Sequence, residues 1–243
     1  CTKKKQFINF VKKTPSFGKS FICIDDKNNK EILKKIKNVN YSTYGINKDS
    51  NFQILNIVQN QNYSKFDLKI SIAGAKVKFL KNIKVPIIGL HNIRNTTAAI
   101  AVATSIGISN NIIKKSLKKF QGVQRRFTKI FSFRDISFFD DYAHHPTEIK
   151  EVLNGVRQVY KDKEIVCIFQ PHRISRVKNL YEEFSKSFLK ADTVVLCPIY
   201  KAGENIKLGF NYNNFAKKII KNSKLNLILI NNNLDLLKFT KQN

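Results

Sequence analysis

The stretch Ile165-Val166-Cys167-Ile168-Phe169-Gln170-Pro171-His172-Arg173-Ile174-Ser175-Arg176 opens on five consecutive apolar residues and closes on a cationic, proline-started turn. An unbroken apolar run bounded by proline reads as a strand buried on both faces, the habit of parallel sheets rather than of half-exposed alternating strands. Working outward, helical spacing follows over 175–190, a second apolar run over 193–197, a helix over 213–221 and a strand over 225–230. Upstream stand two strands, 126–133 and 136–140, and a helix over 147–160. Strand alternating with helix implies an α/β fold with a doubly wound, mostly parallel sheet. Ligands of such sheets bind at the carboxyl ends of the strands, so chemistry is expected at the turn from Gln170 to Arg176 and at the turns beside it.

One neighbouring turn is Asp140-Asp141-Tyr142-Ala143-His144-His145-Pro146-Thr147-Glu148-Ile149, after the apolar run Ile136 to Phe139. It reads as a buried strand that ends in ionisable groups and starts a helix. Pro146 has the fixed φ of a first helical turn, and Glu148 lies where the helix dipole favours an acid. Tyr200-Lys201-Ala202-Gly203-Glu204 ends the next strand on the same edge. Arg173 and Arg176, three apart, can present two guanidinium forks to a carboxylate or phosphate near a positive helix end. The set Asp140, Asp141, His144, His145 and His172 invites a metal reading, but adjacent histidines seldom point at one ion and the arginines would repel it, so no metal is assigned there.

Before residue 122 the pattern differs. Phe7, Phe10 and Val11 mark a short helix closed by Pro15, Phe21 to Ile24 a strand ended by Asp25-Asp26, and Ile32, Leu33 and Ile36 a second helix. Strands are expected near 39–44, 52–58, 66–72 and 76–80, the last two joined through Gly74 as a hairpin. A long helix from His91 to Ile106 ends at Gly107, and Ser109 caps another. Strand periodicity resumes after Gln121-Gly122-Val123, which divides the chain into 1–122 and 123–243. His91, Asn92 and Asn95 share one helix side, where amides can read a purine edge or a phosphate or simply cap the helix. Arg125-Arg126 beside the boundary suits a phosphate gripped at a hinge, or a solvated charge pair. Gly18-Lys19-Ser20 is not a phosphate loop: Lys13 stands where a glycine is needed, and a strand follows instead of a helix.

The net charge of +27 suggests a nucleic-acid partner, but only seven of the 44 basic residues are arginine and the 37 lysines are spread over nearly every segment. With no tryptophan or methionine, this looks like a compositional bias, and no nucleic-acid surface is assigned. Cys1, Cys23, Cys167 and Cys197 have neither metal spacing nor a disulfide framework, which points to a reducing cytoplasm. No apolar stretch reaches membrane-spanning length.

Taken in order, Gly89-Leu90-His91-Asn92-Ile93-Arg94-Asn95, Phe120-Gln121-Gly122-Val123-Gln124-Arg125-Arg126-Phe127, Asp140 to Ile149, Phe169 to Arg176 and Ile199 to Glu204 resemble the Mur ligase family. The resemblance covers essentially the whole chain and implies a partial central ATP-binding domain followed by a Rossmann-like C-terminal domain. It implies ATP and Mg²⁺ as cofactors, UDP-N-acetylmuramate and L-alanine as substrates, and amide-bond formation through an acyl phosphate in peptidoglycan precursor synthesis. By the same resemblance Asn92 and Asn95 lie on the adenine side with His91 beside them, Arg126 contacts the nucleotide from the hinge, and Asp141 lies near the ribose. His144, His145, His172, Arg173 and Arg176 would surround the amino acid and the reacting carboxylate, in one cleft between two domains. Either histidine of the pair could deprotonate the ammonium.

The departures define further expectations. No glycine-rich phosphate loop with its lysine occurs, nor the central-domain acid and histidine that hold Mg²⁺, and Cys1 stands where a methionine would start a chain. The sequence therefore reads as an interior segment, short of the family's last strand. Rival readings are a recycling ligase that adds a whole murein peptide, a basic nucleic-acid-binding module and a metal-dependent hydrolase. The 243 residues alone are expected to release phosphate only at background rate from ATP, UDP-N-acetylmuramate and L-alanine; turnover well above background in a phosphate-release assay would refute this.

Overall fold

The computed structural model describes residues 3–204 and 210–242, so Cys1 lies outside the described residues. The chain divides into two compact units, Cys1–Gly122 and Val123–Asn243.

In the first unit, helix α1 (Lys3–Lys12) leads into strand β1 (Ser20–Cys23), helix α2 (Lys27–Leu33) and strands β2 (Tyr41–Gly45), β3 (Phe52–Gln59), β4 (Ser64–Ile70) and β5 (Lys78–Val85). These form one sheet in the order β1-β2-β3-β4-β5, parallel across the first three and antiparallel across the last two pairs. Helices α3 (Leu90–Ser105) and α4 (Asn110–Lys119) follow. Alternation sends neighbours on β1 to opposite faces: Phe21 packs into the cluster of Phe52, Phe66, Leu68, Ile93 and Ile100, whereas Ile22 packs with Val11, Ile32 and Ile36. The last two strands differ from the expected 66–72 and 76–80. A bulge between Phe66 and Leu68 puts Asn82 at φ 58, where its N–H donates to Asp67 Oδ1 at 2.6 Å. Leu80 and Ile83, three apart, are thereby both buried, which breaks the period-2 pattern that marks a strand.

The second unit starts with an antiparallel pair, β6 (Thr128–Phe133) and β7 (Ile136–Asp140). Helix α5 (Pro146–Val159), strand β8 (Val166–Phe169), helices α6 (Ile174–Asn179) and α7 (Tyr181–Ser185), strand β9 (Thr193–Leu196), helix α8 (Tyr212–Ser223), strand β10 (Asn226–Leu229) and helix α9 (Asn233–Gln242) complete it. Strands β8, β9 and β10 pair in parallel in the order β10-β9-β8. Helices α5, α7 and α8 cover one face through Ile149, Leu153, Phe184, Phe215 and Ile219 packed on Phe169, Val194 and Leu196. On the other face Val195, Cys197 and Ile230 pack with Leu236 and Phe239 of α9, a helix the sequence reading did not place.

Three expectations need correction. The run Ile136 to Phe139 is not a buried strand of the parallel sheet: it pairs only with β6, and Ile136 is 45% exposed. Its apolar side chains stack within the hairpin instead, Phe131 on Phe138 and Phe127 on Phe139, both at 4.3 Å between centroids. The opening run is buried on one face only at β8, where Val166 and Ile168 are 46% and 47% exposed; the central strand β9 has the fully buried pattern. The helix expected over 175–190 breaks at Leu180, whose backbone leaves helical geometry at φ −123 and ψ 31.

Phe184 is fully buried among Phe169 and Phe215, while Phe17 is 92% exposed. Phe184→Ala is expected to cost about 3–5 kcal/mol of stability. Phe17→Ala should stay within about 0.5 kcal/mol, both read by urea unfolding followed by circular dichroism.

Candidate active site

In the second unit, three turns meet at the carboxyl edge of β8 and β9. The first is tied down by Asp141, which accepts from Phe127 N at 2.8 Å and Ala143 N at 2.7 Å, while Tyr142 N donates to Arg125 O at 2.8 Å. These bonds hold the backbone from Arg125 to Phe127, where both residues have positive φ, 58 and 49. The Asp141 carboxylate is thus already a backbone acceptor, and Arg126 beside it is exposed. Helix α5 begins with a reciprocal cap: His145 Nδ1 accepts from Thr147 N at 3.3 Å, and Glu148 Oε2 accepts from His144 N and His145 N at 3.0 and 3.2 Å. Burial alone would raise the Glu148 pKa, but those two N–H groups and the His144 and Arg126 charges outweigh it and lower it.

The two adjacent histidines are assigned opposite tautomers by their partners. His144 Nδ1 lies 2.9 Å from Tyr142 O, and a carbonyl only accepts, so Nδ1 carries the proton and Nε2 of the neutral ring keeps its lone pair. His145 Nδ1 accepts from the chain, which leaves the proton of its neutral ring on Nε2. Geometry therefore separates a pair that sequence left equivalent.

The second turn extends the β8–β9 pairing: His172 bridges Tyr200, Arg173 N donates to Tyr200 O at 2.9 Å, and Tyr200 N donates to Pro171 O at 2.8 Å. Arg173 sits at φ 69 and ψ 122, a conformation that L-residues rarely adopt and that tends to mark functional sites. Around it runs a line of rings and charge: Arg125 over Tyr142 at 4.7 Å, Tyr142 to His144 at 5.1 Å, His144 to His172 at 6.4 Å and His172 to Tyr200 at 5.2 Å. Among the described residues, His172 Nδ1 and Arg176 Nη1 are buried atoms with no hydrogen-bond partner. Desolvation, then the Arg176 and Arg173 charges, lower the His172 pKa and keep its ring neutral at pH 7. The turn meets the first one through His144 and His172 even though β7 lies outside the parallel sheet. The start of α6 is not open to an anion as expected, because Glu204 of the third turn already bonds Ser175 there.

In the first unit, Gly89 precedes α3 at φ 95 and ψ 136, and its N–H donates to Gln59 Oε1 at 2.7 Å. Asn92 Nδ2 donates to Ile88 O at 2.7 Å, so its amide both caps the turn and keeps an oxygen for another donor; Asn95 is exposed. His91 packs under Gly89, where an added Cβ would lie 2.7 Å from the ring. Arg94 bonds Asp25 through Nε at 2.7 Å, and Asp25 Oδ1 also accepts from Ile46 N and Asn47 N at 2.9 and 3.0 Å. Sequence reasoning missed Gln59, Gly89 and Asp25 as supports of this turn. The one signal was glycine placed two residues before His91. Among the described residues no group of three or more His, Cys, Asp or Glu could hold a metal ion, and no helix is long and apolar enough to cross a membrane.

Two family models match the chain: the Mur ligase middle domain over residues 2–103, and the Mur ligase glutamate ligase domain over residues 125–238. The chain belongs to the Mur ligase family. This Mur ligase chain is 64% identical over 238 residues to the UDP-N-acetylmuramate--L-alanine ligase of Pelagibacter ubique (strain HTCC1062), covering 98% of itself and 51% of that protein. It is 40% identical to the enzyme of the same name from Bartonella quintana (strain Toulouse), covering 93% of itself and 46% of that protein. The chain spans about half the length of the curated relatives it matches. In fold it is similar to the UDP-N-acetylmuramate-alanine ligase of Thermotoga maritima (TM-score 0.67, 24% identity, 90% of this chain and 44% of that one). A murein peptide ligase from Psychrobacter arcticus gives a TM-score of 0.65 at 23% identity, with 97% and 48% covered.

Glu148 provides the test of the cap that orders both histidines. Its folded pKa is lowered, so its contribution is complete above about pH 4.5 and is lost as the pH falls through the lower folded value. Glu148→Gln is expected to lower stability at pH 7 by about 0.5–1 kcal/mol, discounted for partial exposure. The difference from the wild type should close in thermal melts recorded well below pH 4; a constant difference across pH would rule the cap out.

Proposed function

We propose that this chain is the nucleotide- and amino-acid-binding part of a ligase that joins L-alanine to the lactyl carboxylate of UDP-N-acetylmuramate with ATP. One observation carries the reading of the second unit: Arg176 Nη1 and His172 Nδ1 are buried and unpartnered beside the strained Arg173. A guanidinium nitrogen and a ring nitrogen buried without a partner among the described residues suit a carboxylate in a ligand, and a planar guanidinium grips a carboxylate with paired donors. The names of the relatives in Pelagibacter and Bartonella identify the amino acid that would bring it.

A carboxylate becomes an acylating agent only when its oxygen is made a leaving group, and ATP supplies that by phosphorylating it. Arg173 and Arg176 would then hold the alanine carboxylate and orient its nitrogen. His144 Nε2, the open lone pair on this edge, would take the proton that alanine's ammonium must lose before it attacks. His145, with its Nδ1 occupied by the α5 cap, and the neutral His172 line the same turn as positioning and hydrogen-bonding groups. The cationic edge counters charge that builds on the tetrahedral carbon's oxygens.

In the first unit the residues fit a nucleotide base: the Asn92 amide oxygen and the exposed Asn95 amide offer acceptor and donor to a purine edge beside His91. Within the second unit, the exposed Arg126 offers its guanidinium to a phosphate, while Asp141 accepts from the Phe127 and Ala143 N–H groups and so shapes the turn. For Mg²⁺ the described residues offer no fitting donor set, and no step is derived through it. A cytoplasmic place of action belongs to the same reading; Cys167 is half-buried, and desolvation pushes its thiol pKa up to about 12.

In the full-length ligase, Arg176→Ala and Arg173→Ala are each expected to raise the KM for L-alanine about 10- to 100-fold, from about 1.5–3 kcal/mol per charged hydrogen bond. The KM for ATP should stay near the wild-type value. Steady-state phosphate release with each substrate varied in turn measures this. Unchanged alanine kinetics, or a wild type that accepts a murein tripeptide in place of alanine, would overturn the assignment.

A further inference from the structure

Helix α6 is six residues long and starts at Arg173 without a cap from its own side chain. A helix that short leaves most of its N–H groups without partners and is marginal unless something else satisfies them. Glu204, from the loop after β9, does so from 29 residues away. Its Oε1 accepts the Ser175 hydroxyl proton, its Oε2 accepts from Ser175 N at 3.1 Å, and the Ile174 N–H points to the same carboxylate. The loop that delivers it turns through Ala202 and Gly203, at φ 50 and 80, and closes with Glu204 N donating to Lys201 O at 3.1 Å.

We propose that Glu204 is a positioning residue of the alanine-binding turn: it caps α6 from the neighbouring loop and so fixes where Arg173 and Arg176 stand. This rests on the reading of that turn as the alanine site. Residues 200–204 then hold residues 171–175 at three points: Tyr200 N on Pro171 O, Arg173 N on Tyr200 O, and Glu204 on Ser175. Arg173 makes the second of these and lies between the first and the third, so its rare backbone conformation is fixed from both sides. The carboxylate also fills the anion position at the helix start. A substrate carboxylate is thereby left to the side chains of the turn, Arg173 and Arg176 with His172 beside them, because the helix start is already engaged by Glu204.

The test has two arms. In the full-length ligase, Glu204→Ala should raise the KM for L-alanine about tenfold, while the KM for ATP and for UDP-N-acetylmuramate stays within about twofold. Glu204→Gln, which keeps one acceptor oxygen, should recover part of the loss, and Ser175→Ala combined with Glu204→Ala should be no worse than Glu204→Ala alone. In the 243-residue chain, amide exchange at Ile174 and Ser175 should accelerate at least tenfold in Glu204→Ala, with Val194 and Leu196 in the core unchanged. Unchanged exchange at those two amides, or an equal rise in all three KM values, overturns the proposal. Faster exchange in a protein whose wild type does not use alanine leaves the cap standing and overturns the substrate reading instead.

Discussion

The parallel pairing of β8 with β9 sets most of what the second unit can do. Its register runs from Val166 opposite Thr193 to Phe169 opposite Leu196, and the ladder continues past the strands as the bridge between His172 and Tyr200. Hydrogen bonds that begin as sheet structure therefore end as the backbone of the candidate site. A slip of one residue would turn Phe169 out of the cluster with Phe184 and Phe188 and would also part Arg173 N from Tyr200 O. Core packing and site geometry are fixed by one register, so the apolar face of β9 protects the chemistry at its end.

Much of this was legible in the sequence. The alternation of apolar runs with helical segments gave the α/β class, and the helix expected from 147 starts one residue earlier, at Pro146. The strings rich in His and Arg at 140–149 and 170–176 lie on two turns whose His144 and His172 rings stand 6.4 Å apart. Illegible parts share a cause: they depend on partners far away in sequence. Strand β7 has the apolar run of a buried strand, yet its side chains satisfy one another in a hairpin. Strand β5 hides behind a bulge that only Asp67 explains. Glu204 and Ser175 form a cap across 29 residues, a separation at which no spacing rule operates. The break at Leu180 has no proline or glycine to announce it.

Backbone structure reaches into chemistry at His144 and His145. His144 and His145 are neighbours with the same intrinsic acidity, and nothing in their order tells them apart. The difference arises because one ring nitrogen faces a carbonyl and the other faces an N–H of the first helical turn. Helix capping, normally a matter of stability, here selects which imidazole can act as an acceptor. Glu148 enforces the choice by binding both backbone N–H groups of the pair.

A chain with 17 acids against 44 basic residues has few carboxylates to place. Among the described residues seven of those acids accept backbone N–H groups, Asp67 at the strand bulge and Asp25, Asp26, Asp141, Glu148, Asp192 and Glu204 in loops or at helix starts. A carboxylate surrounded by excess lysine gains little from any one exposed ion pair, because such pairs are screened and entropically costly. Two backbone donors at fixed positions gain more, since their direction is set before the acid arrives. The same economy explains why an acid in a motif is an ambiguous sign of catalysis in this protein. Asp141 stands in the string that most resembles a reactive site, and its two oxygens are occupied in holding Phe127 and Ala143. The cationic groups carry the opposite signature: among the described residues Arg176 Nη1 and His172 Nδ1 are buried atoms without a hydrogen-bond partner, on an edge whose backbone is fixed by acids.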